Sequence, residues 1–207
     1  CIRDRSQDGW ANLDPDLLTT MRQLESTLPS QDALNVSLIE ASGILPAGTV
    51  FFAEALPQGQ GTPRQRASER TVWFERARNA VANCNLIFLD PDNGLEVPSV
   101  PVTSRLASKY ASVPEVGRLL EGGAGVVLYQ HGSRMPWQAQ RERILSQIAS
   151  GTDQALVIRT LRFGAFGARA FFCVTTCPRM TAAVERGLDQ LRRRVEGWDK
   201  SGYLLME

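Results

Sequence analysis

The chain has 207 residues, of which 43% are hydrophobic and 22% charged, with a formal net charge of +1. A chain of this length can bury a core without covalent staples. Its four cysteines are scattered without a CxxC pair and no apolar run approaches 18 residues, so the composition speaks against a disulfide or zinc framework and against a membrane span. We expect a soluble cytoplasmic protein with reduced thiols.

The first 46 residues predict a short helical segment. Asp14-Pro15-Asp16 is a helix start, with a capping carboxylate and a proline in the first turn, and this helix is predicted to reach about residue 28. A second helix is predicted over residues 32–41. We therefore divide the chain into a helical N-terminal segment, residues 1–46, and an α/β domain, residues 47–207.

Strands and helices alternate through the predicted domain. In chain order, the sequence predicts strand 49–53, helix 63–82, strand 85–89, helix 113–121, strand 125–130, helix 136–149, strands 155–161 and 168–175, and helix 178–197. This order is typical of a doubly wound, mostly parallel sheet that ends in an antiparallel hairpin. The unbroken apolar run from Leu86 to Leu89 further predicts a strand covered on both faces.

An acidic turn follows that apolar strand. Asp90-Pro91-Asp92-Asn93-Gly94 ends the strand, and Glu96 lies just beyond it. The next predicted strand also ends in a polar cluster, which includes His131 and Arg134. In open α/β sheets, ligands bind beyond the carboxyl ends of the strands, so both clusters are predicted to share one crevice. The segment 98–111, which carries Lys109 and Tyr110, is predicted to be a loop over that crevice.

The order of elements and the acidic turn resemble class I S-adenosylmethionine-dependent methyltransferases. Asp90-Pro91-Asp92-Asn93 resembles the Asp-Pro-Pro-Tyr or Asn-Pro-Pro-Tyr signature of enzymes that methylate the amino group of adenine in DNA or RNA. The chain also resembles a group of bacterial and phage proteins in which FLDPDNGLE precedes a YQH strand end, here Tyr129-Gln130-His131. Those proteins look like distant relatives of ribosomal RNA adenine N6-methyltransferases. The resemblance covers about residues 49–177.

This resemblance implies a Rossmann-like methyltransferase fold, S-adenosylmethionine as cofactor and a nucleic-acid partner. Asp90 and the Pro91 carbonyl would accept hydrogen bonds from the exocyclic amine, Asp92 and Asn93 would complete the turn, and His131 would join them as a catalytic residue from the next strand end. The residues expected on the substrate side are Glu96, Lys109, Tyr110 and Arg134.

Two departures from the family pattern limit this expectation. Asp92 replaces the second proline of the signature, and Asn93 replaces the aromatic residue that would stack on a flipped base. The family's glycine-rich cofactor loop has no counterpart, because Gly122-Gly123-Ala124-Gly125 follows a helix and precedes a strand. Since the sequence begins with Cys1 and not Met, either the first strand and the cofactor half are missing, or the protein does not use the cofactor.

Two other functions remain open. Asp90, Asp92, Glu96 and His131 could bind Mg²⁺ or Mn²⁺ and activate water for phosphodiester or phosphoester hydrolysis, because hard divalent cations prefer oxygen ligands. Alternatively, the domain is a non-catalytic scaffold, which the absent cofactor loop favours. The arginine-rich stretch 130–170 gives modest support to a nucleic-acid partner. The sequence does not predict an oligomeric state.

Overall fold

The computed structural model describes residues 14–27, 36–57, 60–163, 168–195 and 204–206 of a mixed α/β chain. In chain order, its elements are α1 (Pro15–Thr27), α2 (Val36–Ser42), α3 (Pro63–Ala80), β1 (Leu86–Leu89), β2 (Gly94–Leu95), a 3₁₀ helix (Arg105–Lys109), β3 (Tyr110–Ala111), α4 (Val113–Glu121), β4 (Gly125–His131), α5 (Trp137–Ser150), β5 (Val157–Phe163), β6 (Arg169–Thr175), α6 (Pro178–Val195) and β7 (Leu204–Met206). Most of the predicted elements are confirmed, with ends that shift by a few residues. The first part of the second predicted helix, residues 32–35, lies outside the described residues.

Five strands form the main sheet in the order β1-β4-β6-β5-β7, and β2 pairs with β3 in a separate small ladder. In the main sheet only β1 and β4 are parallel, whereas β4–β6, β5–β6 and β5–β7 are antiparallel. The expectation of mostly parallel pairing is therefore wrong for the described sheet. The reason is that β6 enters between β4 and β5, and that the unpredicted β7 adds a further antiparallel edge.

Strands β1, β4 and β5 nevertheless run in one direction, and β6 runs in the opposite direction. Because β6 is antiparallel to both β4 and β5, these two strands run in the same direction, as does β1 beside β4. The predicted antiparallel hairpin of β5 and β6 is confirmed. The carboxyl ends of β1, β4 and β5 consequently lie at one edge of the sheet.

One face of the sheet carries the core. Val126 and Leu128 of β4 and Phe172 of β6 are completely buried, and they pack in one cluster with Leu120 of α4 and Ile144 of α5. Both helices therefore cover the same face, which is the arrangement expected for connections that return over a parallel pair. This core fixes the two strand ends where the candidate site begins.

The prediction that β1 is covered on both faces is wrong. Ile87 points into the core, but Leu86 is 47% exposed and Phe88 is 57% exposed. Successive strand residues point to opposite faces, and β1 is the edge strand of the described sheet. Phe88 packs only partly, against the ring of Phe171, with 6.3 Å between the centroids.

Residues 49–53 do not form the predicted strand. This segment instead lies along α3, where Phe52 meets the ring of Trp73 edge-on at 5.6 Å and the Trp73 indole N–H donates to the Glu54 carbonyl at 2.9 Å. Its β-branched and aromatic residues therefore serve to pack against a helix, since no described strand pairs with them. Among the described helices, none is both long enough and apolar enough to cross a membrane.

Candidate functional site

The candidate site lies where β1 and β4 end side by side. The two strands are parallel and in register, with Leu86 opposite Gly125 and Leu89 opposite Leu128. The turn that begins at Asp90 and the loop that begins at Gly132 therefore leave the sheet from adjacent positions. The predicted common edge for the two polar clusters is confirmed.

Gln130 ties the two chain segments together. Its side chain is 4% exposed, and its amide nitrogen donates to the carbonyls of Asn93 and His131, each at 3.0 Å. Its amide oxygen accepts the N–H of Leu95, also at 3.0 Å. Gln130 itself is buried, where an unpaired polar group is costly, so these bonds fix the position of the acidic turn relative to β4.

Gly94 makes this tether possible. Its φ of +102° lies in the region that side-chain-bearing residues rarely adopt, and a Cβ at this position would overlap the side-chain amide of Gln130. The glycine that the sequence places after Asn93 is thus required both for the turn and for the close approach of Gln130.

A second buried glutamine, Gln140, holds the end of β4 and the start of the loop that follows it. Gln140 of α5 is 3% exposed; its amide nitrogen donates to the His131 carbonyl at 2.9 Å, and its amide oxygen accepts the N–H of Ser133 at 3.3 Å. The His131 carbonyl therefore accepts hydrogen bonds from Gln130 and Gln140 together. Sequence reasoning missed both glutamines, although a polar residue at a core-facing position of an apolar strand is a signal for Gln130.

Asp90 and Pro91 present acceptors that the protein does not use. Asp90 is exposed, and within the described part of the chain its carboxylate has no hydrogen bond or ion pair and the Pro91 carbonyl accepts none. Partial burial by the surrounding chain, and secondly the negative charge of Asp92, raise the pKa of Asp90 above its ordinary value. The turn thus holds two acceptors that face no donor of their own.

Lys109 and Tyr110 lie beside this turn, but a crevice shared by the two polar clusters is not seen among the described residues, because Asp90, Asp92 and Asn93 do not line the cavity that contains His131. The Asn93 N–H donates to the Lys109 carbonyl at 3.0 Å, and β2 pairs with β3 so that Gly94 lies opposite Tyr110. The Lys109 ammonium is 3.6 Å from a carboxylate oxygen of Asp92, in an exposed ion pair. The segment predicted as a loop thus contains a 3₁₀ helix and a short strand that buttress the turn.

Glu96 is engaged elsewhere. Its carboxylate accepts the N–H of Val113 at the start of α4, at 3.0 Å, and its carbonyl accepts the Gln147 amide at 3.0 Å. In the described ranges no group of three or more His, Cys, Asp or Glu side chains is arranged to hold a metal ion. Asp90 and Asp92 thus lie in one turn, whereas the Glu96 carboxylate caps the amino end of α4.

His131 and Arg134 follow β4. His131 is exposed, and its Nδ1 lies 3.2 Å from the hydroxyl of Tyr129, while its backbone is in register with Arg169 of β6. Arg134 is exposed in the bend that precedes α5. Arg134 gives the loop after β4 a positive charge, next to the acidic turn after β1.

A cavity of about 60 Å³ opens beside the loop after β4. It shares Gln130 and His131 with the features above, and Trp137 of α5, Arg162 of β5 and Arg169 also line it. Arg162 lies over the indole ring of Trp137, with its guanidinium carbon 5.1 Å from the ring centroid. Trp137 packs partly against the core, and it also forms one wall of this cavity.

The glycine cluster does not fit a cofactor loop. Gly122 and Gly123 join α4 to the beginning of β4, and Gly123, with φ of +80°, makes the turn between them. This turn is at the amino end of β4, at the opposite edge of the sheet from Asp90. Among the described residues, these glycines therefore do not form the strand–loop–helix that holds S-adenosylmethionine in the methyltransferases.

Comparison with protein-family models, with curated proteins and with solved structures finds no match for this chain.

Proposed function

We propose that the chain is a methyltransferase-like domain that receives the amino group of a nucleic-acid base at the turn formed by Asp90, Pro91, Asp92 and Asn93. The observation that carries the proposal is the pair of unused acceptors on Asp90 and Pro91. An exocyclic amine has two N–H groups, and two acceptors on neighbouring residues match that need. The buried Gln130 binds the carbonyl of Asn93, and so holds the turn that carries these acceptors.

The turn would act by positioning. With both N–H groups held, the amine can rotate neither about its bond to the base nor away from the turn, so its nitrogen is presented in one orientation. Holding a reacting group in this way removes much of the entropic barrier of a bimolecular step. Only the ionised carboxylate of Asp90 is a pure acceptor, so its ionisation favours the binding of the amine.

The sheet layout supports the same proposal. Strands β1, β4 and β5 run together and β6 is reversed between β4 and β5, which is compatible with the reversed terminal hairpin of class I methyltransferases. The acidic turn follows β1 and the His131 loop follows β4, as in the resemblance drawn from the sequence. His131, Arg134 and Lys109 would lie on the substrate side, and Glu96 and Tyr110 would support them from the adjoining segments.

The methyl donor proposed from the resemblance is S-adenosylmethionine. Because the described glycines do not form its loop, we assign no residue to it and derive no step through it. The proposed role of this chain is therefore confined to the acceptor base.

Binding of a base can test the turn directly. We would titrate the protein by calorimetry with a short single-stranded oligonucleotide that contains one adenine, and with the same oligonucleotide in which purine, which lacks the amine, replaces adenine. Tighter binding of the adenine form is expected when all the other bases are thymine, because adenine then carries the one exocyclic amine that can donate to Asp90 and Pro91. The variant Asp90→Ala, which keeps only the Pro91 carbonyl, should lose most of the difference between the two oligonucleotides, while Glu142→Ala on the exposed side of α5 serves as the matched control.

Methyl transfer is the second measurement. Radiolabelled S-adenosylmethionine should label the adenine oligonucleotide in the presence of the protein, and the Asp90→Ala variant should lose this labelling. Equal binding of the adenine and purine forms by the unaltered protein would contradict the proposed role of the turn. Binding of Mg²⁺ or Mn²⁺, with hydrolysis of the oligonucleotide that Asp90→Ala abolishes, would instead favour the metal-dependent hydrolase.

A further inference from the structure

The cavity beside the loop after β4 has two donors without acceptors. Trp137 Nε1 and Arg162 Nε are buried and, within the described part of the chain, neither has a hydrogen-bond partner. A buried donor without an acceptor destabilises the folded protein, and more so when the group is charged. Since both residues line the same cavity, one ligand with several acceptor oxygens could satisfy both.

The cavity is also positive. Arg162 and Arg169 line it from neighbouring strands, and none of the described residues that line it is acidic. The amino end of α5 adds to this charge, because the helix begins at Trp137 and its N-cap residue, Pro136, offers no side-chain hydrogen bond to the first turn. The combination of cations, neutral N–H donors and a helix amino terminus selects an anion.

The size of the cavity limits the anion. Its volume of about 60 Å³ corresponds to roughly four to six water-sized spheres, which suits a single tetrahedral oxyanion. An arginine fork matches the oxygens of a phosphate group particularly well. The loop after β4, which forms one wall, is held to the acidic turn by Gln130.

We propose that this cavity binds a phosphodiester group of the nucleic-acid strand whose base is presented to the Asp90 turn. The inference rests on the proposed function for the identity of the strand, and it adds a backbone contact for that same substrate. Trp137 and Arg162 would donate to the phosphate oxygens, and Arg169 would add charge. The contact would fix the strand in register without reading its sequence.

The indole N–H of Trp137 offers a direct readout. In a proton–nitrogen correlation spectrum, the resonance that disappears in Trp137→Phe identifies this group. We expect inorganic phosphate to shift this resonance in the unaltered protein until it saturates. In Arg162→Gln the affinity should fall by about tenfold or more, the loss expected for a charge-assisted hydrogen bond.

Arg159→Gln is the matched control, because Arg159 lies on the same strand but forms an ion pair with Glu185 and does not line the cavity. Its phosphate affinity should stay within about twofold of the unaltered protein, since surface pairs contribute little. Thermal unfolding of each variant establishes that it is folded. An unshifted Trp137 resonance, or equal phosphate affinity in Arg162→Gln and Arg159→Gln, would overturn the site.

A second titration distinguishes a strand from free phosphate. The trinucleotide TpTpT without terminal phosphates should shift the same resonance and compete with inorganic phosphate, whereas thymidine should do neither. Competition by free phosphate alone would overturn the assignment to a phosphodiester. These measurements involve neither adenine nor a methyl donor, so their failure is distinct from failure of the proposed function at Asp90.

Discussion

Arg70 of α3 gives the most demanding test of how this site is supported. The residue is 7% exposed, and its guanidinium makes four hydrogen bonds: two at 2.7 Å to the carboxylate of Glu115, one at 2.7 Å to the Ala107 carbonyl and one at 2.8 Å to the Tyr110 carbonyl. It thereby joins α3, α4 and the segment that buttresses the acidic turn. Replacing Arg70 by Met would leave a partly buried carboxylate and two carbonyls without this donor.

The expected cost follows from these contacts. Removing one partner of a buried ion pair destabilises a protein by about 3 to 5 kcal/mol. With a urea dependence of about 2 kcal/mol per molar, the midpoint of unfolding should fall by roughly 1.5 to 2.5 M. Arg70→Lys keeps the charge but loses the fork, so we expect a smaller fall. Arg70→Met combined with Glu115→Leu removes both charges and should recover part of the loss; the recovery is incomplete because Glu115 also accepts the Ser112 N–H at the start of α4.

Urea unfolding followed by circular dichroism measures these effects. Arg159→Met breaks an exposed pair with Glu185 and is the control, with an expected cost below about 1 kcal/mol. If Arg70→Met costs no more than Arg159→Met, or if the double variant is less stable than the single one, the reasoning from the buried pair is wrong.

Three further outcomes are expected. Gly94→Ala forces a strained φ and displaces the amide of Gln130, so urea unfolding should show a loss of at least about 2 kcal/mol; a loss below 0.5 kcal/mol, on the order of a neutral surface change, would contradict the tether. Because the pKa of Asp90 is raised in the folded protein, protonation of Asp90 stabilises the folded state. This stabilisation is complete below the pKa of the unfolded chain and is lost as the pH rises through the pKa of the folded protein. Binding of an amine by the ionised carboxylate is expected to increase over the same pH range. Asp90→Asn should remove that interval from both the stability and the adenine-binding profiles measured by calorimetry, and an unchanged profile would refute the shift. Burial raises the pKa of the Cys173 thiol to about 11, so at pH 8 only about 0.1% of it is thiolate. After treatment with iodoacetamide, peptide mass spectrometry should show that Cys173 is alkylated more slowly than Cys84. Equal rates would contradict the burial of Cys173.

The sequence predicted the placement of the candidate site better than its construction. The apolar strands that end at Asp90 and His131 are long-range neighbours in the sheet, and their patterns together with the βα order sufficed to predict this. The exposure of Phe88 could not be predicted, because an unbroken apolar run is the same in a central strand and in an edge strand with one uncovered face. The hydrogen bonds of Gln130 were likewise out of reach, since side-chain partners 35 or more residues away are set by tertiary structure.

The cavity, too, could not be predicted from the sequence. Trp137 and Arg162 are 25 positions apart, on a helix and a strand, and each has an ordinary role there as a packing residue or a surface charge. Their contact becomes visible only when α5 packs on the sheet. The strand prediction for residues 49–53 is wrong for the converse reason. The β-branched and aromatic residues of this segment favour a strand locally, but no described strand lies beside it to pair with.

The short length of β1 has a practical consequence for anyone who handles the protein. An edge strand with exposed apolar side chains can recruit another chain into its sheet, and proteins suppress this by shortening the strand and by flanking it with charges or proline. Here the strand is only four residues long, and Asp90, Pro91 and Asp92 stand immediately beyond it. The same residues thus act as gatekeepers against aggregation, and any loss of activity after their replacement is meaningful only for material shown by light scattering to be free of aggregates.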